Sequence, residues 1–307
     1  MLLFIDLRIA KKIIFYSLIK MKIQFKIIAL SLLSSFIFPL PSMARSIMKD
    51  INRTGILRVG IRQDAAPFGY LNPETNEWQG YCFDIVNSLK LNLEEKLEKP
   101  LRLEMVKSTL ENRYEIVPQG IVHLECGPNT IRDDLDNVTF STPFFITGTH
   151  FLIRSDNSDN FSLGHPSEGA EIGALMGTVT EDLLPDKYPQ AEITYLEGEN
   201  GRAKGVEAVA NGSLDGFFSD GILLIGEVVR QNLASGNFSL MPERPITCDA
   251  YGMILPAGDS QWQNTVNSFI EGDSARQVWG GWFEVLFPYV LLNLEYCEGK
   301  IPSINLR

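Results

Sequence analysis

PQGIVHLEC, residues 118–126, is echoed later in the chain by ANGSLDGFF, residues 210–218. Both read as a helix end, a glycine, one residue, an aliphatic, a polar residue, then a strand. The glycine fits a left-handed helix terminus, where the missing Cβ removes the steric cost. Outward from each copy the same alternation appears. Before the first lie a β-rich run at 56–61, an amphipathic helix at 84–97 with Ile85, Leu89, Leu93 and Leu97 on one face, and an alternating strand at 101–106. Ser108-Thr109-Leu110-Glu111 has capping-box spacing and predicts a helix running to Gln119-Gly120. Before the second copy lie strands at 172–176 and 191–196 and helices from Thr180 and Arg202. Helices at 222–231, 262–271 and 274–283 and a strand at 251–255 complete the chain. Two such alternations predict an α/β protein of two lobes, each a mostly parallel sheet flanked by helices. Ligands of such sheets bind beyond the carboxyl ends of the strands, where Thr130, Arg132, Thr178 and Asp220 fall.

Charge and composition narrow the function classes. Residues 1–44 carry six of the 27 basic residues and one of the 38 acidic ones. A basic start, an apolar stretch at 27–40 and Ser42-Met43-Ala44 form a signal-peptidase pattern with the cut before Arg45, and Met21 stands as an alternative start. The apolar stretch is shorter than the ~20 residues of a membrane span. A periplasmic or secreted protein is expected. The remaining residues have a net charge of −16, which argues against nucleic acid and anionic membrane surfaces as partners. That acidity leans towards polar or cationic ligands without deciding between them.

The four cysteines, Cys82, Cys126, Cys248 and Cys297, all follow the cut. An even count in an oxidising compartment predicts two disulfides, with three pairings open. Zinc is the rival, weakened because no two cysteines are close and only His123, His150 and His165 could complete a site. No metal or other cofactor is expected. In CGPNTIRDDLDNVTFSTPFF, residues 126–145, the Arg132 fork could hold a carboxylate, or it could pair with Asp133, Asp134 or Asp136 on the surface.

The ordered set GILRVGI (55–61), APFGY (66–70), WQGYCFDIV (78–86), NTIR (129–132), VTFSTPFF (138–145), GALMGTVTEDL (173–183), NGSLDGFFSD (211–220), YGMILPAGD (251–259) and VWGGWF (278–283) resembles the periplasmic amino-acid-binding proteins of ABC importers, solute-binding family 3. These proteins are similar to the ligand-binding core of ionotropic glutamate receptors. The resemblance implies a two-lobed, type II-like binding protein joined by two hinge strands. Residues 45–151 with 252–307 would form the first lobe and 152–251 the second, with hinging at Thr149–Arg154 and at 248–253. It implies ligand contacts from Phe68, from Thr130 and Arg132 to the α-carboxylate, from Thr178 with Thr180 to the same carboxylate, and from Asp220 to the α-ammonium. For Asp220 the competing reading is an N-cap. In the common pattern the arginine lies six residues before the phenylalanine of the FS segment. Here Arg132 lies eight before Phe140, and Asp134 holds the six-back position. His123 stands where the family has Asp, matching Asp215 in the other half, and is read as structural. The resemblance also implies the pairs Cys248–Cys297 and, with it, Cys82–Cys126.

The implied function is capture of an amino acid by a monomer for delivery to a permease, without catalysis. The alternatives are a cyclohexadienyl or arogenate dehydratase-like enzyme, with Glu181 or His150 as proton donor, and a sensory ligand-binding lobe.

Overall fold

The structure is a computed structural model that describes residues 46–72, 74–162 and 165–301. The signal segment expected at 1–44 lies outside them. Two five-stranded sheets carry the fold. In the first, the order is Arg102–Ser108, Ile56–Arg62, Leu124–Cys126, Ile254–Pro256, Val138–Phe140; in the second it is Glu192–Leu196, Glu171–Leu175, Gly216–Asp220, Thr149–Arg154, Phe238–Met241. The fourth strand of each order runs against its neighbours while the rest are parallel.

The two sheets repeat one plan, and the echoed stretches are its anchor. The backbone N–H of His123 donates to the Arg58 carbonyl, and that of Asp215 donates to the Glu171 carbonyl. The side chains then return the bond: Arg58 N–H donates to His123 Nδ1 at 3.2 Å, and Glu171 N–H to Asp215 Oδ2 at 3.0 Å. His123 thus does structurally what Asp215 does. Its other nitrogen faces Asp50 Oδ2 at 3.2 Å.

Helices Tyr81–Leu97, Ser260–Ile270 and Asp273–Phe283 cover the first sheet; Val179–Lys187, Gly201–Asn211 and Gly221–Arg230 flank the second. Between the sheets the chain crosses on a strand pair, Phe145–Thr147 antiparallel to Asp249–Tyr251. The pair lies ahead of Thr149–Arg154, where hinging was expected. Thr149–Arg154 is instead an inner strand of the second sheet, and only Gly148 breaks the run. The second sheet therefore begins at Thr149, three residues before the expected boundary. Both cysteine pairs are disulfides, Cys82–Cys126 and Cys248–Cys297. No helix among the described residues is long and apolar enough to cross a membrane.

The segment 109–120 departs from the expected helix and forms a chain of turns. The cap exists, shifted by one residue. Thr109 N–H donates to Asn112 Oδ1 at 2.8 Å, and Asn112 N–H to Thr109 Oγ1 at 3.3 Å. Backbone bonds then alternate between four-back and three-back, as in Ile116 and Glu115 to the Asn112 carbonyl. This irregular turn presents Arg113.

Candidate binding site

The facing strand ends border a cleft whose cavity is about 40 Å³. The first lobe contributes Arg62, Leu110, Arg113, Tyr114, Pro128 and Thr130; the second contributes Thr178, Val179, Thr180, Arg202, Ser219, Asp220 and Leu223. Bonds between the lobes hold it closed. Arg113 Nη2 donates to the Gly177 carbonyl at 3.1 Å and Lys107 Nζ to Glu199 Oε2 at 2.6 Å, while from the crossing strand the Tyr251 hydroxyl donates to Asp220.

Three buried guanidinium groups define its chemistry. Arg62 ends the first strand and forks onto Asp64, Nε to Oδ1 at 2.7 Å and Nη2 to Oδ2 at 2.5 Å. Burial works to raise the Asp64 carboxyl, but Arg62 and Arg202 outweigh it and hold the group below the usual carboxylate range. Arg113 and Arg202 are differently placed. Arg113 is 8% exposed and Arg202 3%, and the Nε of each is a buried donor without a hydrogen-bond partner among the described residues. Arg202 lies in the first turn of the helix Gly201–Asn211 and, among the described residues, hydrogen-bonds the Asp64 carbonyl alone, at 3.4 Å from Nη1. Burial pulls its guanidinium below the ordinary value, yet an arginine in a protein stays charged. A buried unpaired donor costs free energy that a ligand acceptor would recover.

Asp220 ends its strand and stands at the N-cap position of the helix Gly221–Arg230, but its side chain makes no cap bond. It takes a hydrogen bond from the Tyr251 hydroxyl instead, and burial raises its carboxyl despite that bond and despite Arg202. Thr178 precedes the helix Val179–Lys187; its hydroxyl donates to the Leu175 carbonyl at 2.6 Å and lies 2.8 Å from that of Thr180. Gly177, at φ +75°, supplies the left-handed turn in front of it.

Thr130, Thr178, Thr180 and Asp220, named from the sequence, thus meet at one cavity. Phe68 and Arg132 do not join it. Phe68 is fully buried beneath, with ring centroids 5.3 Å from Phe145, 5.4 Å from Tyr251 and 5.7 Å from Phe283. Its aromatic surface is spent on the core. Arg132 lies on the outside and forks onto Asp134, the residue holding the six-back position. With a carboxylate two residues on, the guanidinium needs no other anion. His150 and Glu181 also lie outside the lining: His150 is kept neutral by burial, its pKa lowered to about 4, and Glu181 accepts the Gly177 N–H at 2.6 Å. The sequence reading missed Arg62, Arg113 and Arg202. Arg62 carried a signal, an arginine at the carboxyl end of a parallel strand; Arg113 did not, because its segment reads as a helix.

A family model described as bacterial extracellular solute-binding proteins, family 3, matches residues 57–277, and the chain belongs to that family. It is similar to the L-glutamate/L-aspartate-binding protein of Pseudomonas aeruginosa, 26% identical over 260 residues that cover 81% of this chain and 83% of that one. A glutamine-binding protein of Geobacillus stearothermophilus is 27% identical over 186 residues, 60% of this chain and 68% of that one. The fold matches a solved amino acid ABC transporter substrate-binding protein from Streptococcus pneumoniae with TM-score 0.64 at 20% identity, covering 78% of this chain and 97% of that one.

Proposed function

We propose that the protein captures an acidic α-amino acid in the closed cleft, in the periplasm, and delivers it to an ABC importer. Local charge carries this reading. Arg62 and Asp64 neutralise each other, which leaves Arg113 and Arg202 facing Asp220 across the cavity. A dicarboxylic amino acid adds two carboxylates and one ammonium, so cations and anions then match three to three. The carboxylates meet the open Nε donors of Arg113 and Arg202, with the Thr178 and Thr180 hydroxyls and the helix N-terminus beside them. The ammonium meets Asp220. A cationic side chain would face two arginines instead, against the lean of the net charge. The P. aeruginosa relative, named for glutamate and aspartate, supports the same class.

Calorimetric titration with L-glutamate, L-aspartate, L-glutamine and L-arginine tests the assignment. The acidic pair is expected to bind at least tenfold tighter than glutamine, with arginine weakest. Tighter binding of arginine than glutamate would overturn it.

A further inference from the structure

Arg113 and Tyr114 are consecutive in sequence, and in a regular helix their side chains would point about 100° apart. The turns at 109–120 bring them together instead. Arg113 N–H donates to the Thr109 carbonyl at 3.1 Å, four back, and Glu115 N–H to the Asn112 carbonyl at 2.9 Å, three back. This change of step leaves the Arg113 guanidinium over the ring of its neighbour, with Cζ 4.6 Å from the ring centroid. A cation that close to an aromatic face is attracted by the ring's quadrupole. The ring is half-buried and packs on a small apolar cluster that includes Ile116, Val117, Val122 and Phe140. It therefore stands between that cluster and the cation, and both residues border the cleft.

How a cation is compensated decides what it can still bind. Arg62 and Arg132 give their forks to Asp64 and Asp134. Arg113 has no such carboxylate among the described residues. Its Nη1 donates to the Leu110 carbonyl at 3.0 Å and its Nη2 to the Gly177 carbonyl at 3.1 Å, while Nε lacks an acceptor. A ring attracts the cation without bringing a carboxylate charge. Arg113 is thus stabilised where it lies, and no carboxylate sits on its fork to compete with an anionic ligand.

We propose that Tyr114 is a positioning residue of the anion site: its ring holds the Arg113 guanidinium in place, with the fork left for a ligand carboxylate. This rests on the proposed function only through Arg113 as a receiver of carboxylate. Arg113 and Tyr114 belong to one turn of the first lobe, so the stacking needs no group from the second.

The test separates the ring's charge distribution from its bulk. In calorimetric titration with L-glutamate, Tyr114→Phe should bind within about twofold of wild type, because the aromatic face is kept. Tyr114→Leu keeps apolar bulk and should weaken binding about tenfold, the scale of a desolvated cation–π contact. Made in an Arg113→Ala background, the same replacement should cost less than about twofold, since the cation is already gone. Phenylalanines bearing one, two and three ring fluorines at position 114 keep the shape of Tyr114→Phe while draining the face, so affinity should fall with each fluorine. Level affinity across the fluorinated series, or the same loss for Tyr114→Leu with and without Arg113, would reduce the ring to packing and overturn the proposal. If Tyr114→Leu fails to fold, the fluorinated series decides. L-Glutamate giving no heat with wild type would count against the acidic-ligand reading alone. The series then uses whichever α-amino acid binds, because each brings a carboxylate for Arg113; a panel in which none binds would overturn both.

Discussion

Arg113 and Arg132 are nineteen positions apart and make opposite use of the same side chain. Arg132 satisfies its fork on Asp134 in solvent, where an ion pair is worth little. Arg113 is buried with an open Nε. Arg113→Ala and Arg202→Ala should each weaken glutamate binding by at least about 30-fold, the low end for losing one partner of a buried charge contact, whereas Arg132→Ala should change it less than about twofold. Titration of the three variants checks this, and a loss in Arg132→Ala equal to that in Arg113→Ala would reinstate the sequence expectation. At this scale the sequence revealed positions better than partners. Thr130, Thr178 and Asp220 were legible because each sits at a strand's carboxyl end, where ligands gather. The role of Phe68 was not, because packing of its ring depends on Phe145, Tyr251 and Phe283, which come from distant parts of the chain.

At the scale of elements, the helix Gly221–Arg230 approaches the first lobe so closely that a Cβ on Gly226 would lie 2.2 Å from the Ala66 carbonyl oxygen. Backbone cannot yield as a flexible side chain can. Gly226→Ala should therefore oppose closure and lower glutamate affinity at least about tenfold, the scale of an overpacking penalty of 1–3 kcal/mol, with an unchanged circular dichroism spectrum. Affinity equal to wild type would show that the lobes close without this contact. Periodicity revealed most helices and strands, since the 84–97 stripe and the alternating strands answer to burial on one face. It failed at 109–120, where the Thr109–Asn112 cap starts a turn that the following backbone does not propagate. Thr149–Arg154, expected as a hinge strand, lies inside the second sheet because Gly148 is the break that separates it from the crossing strand Phe145–Thr147, while the returning crossing strand Asp249–Tyr251 falls within the expected 248–253.

Over the whole molecule, the two disulfides staple what the two sheets alone leave open. Cys82–Cys126 ties the helix Tyr81–Leu97 to the central strand of the first sheet, and Cys248–Cys297 ties the returning crossing to the last helix. With the paired cysteines 44 and 49 positions apart, each bridge is expected to contribute about 4 kcal/mol by restricting the unfolded chain. Reduction of both should lower Tm by more than about 10 °C in a thermal scan, and a fall under about 3 °C would show that the lobes stand without them. The repeated plan of the sheets was legible because both copies keep the Gly turn and the polar residue after it. The cavity's charge was not, because it depends on which arginines face inward, and overall acidity pointed the other way.

The most direct measurement is a crystal structure with L-glutamate bound. One carboxylate is expected within hydrogen-bond distance of Arg113 Nε, the other within reach of Arg202 Nε, and the ammonium on Asp220, with Arg132 still on Asp134. A ligand carboxylate held by Arg132, or an ammonium that does not touch Asp220, would contradict the assignment.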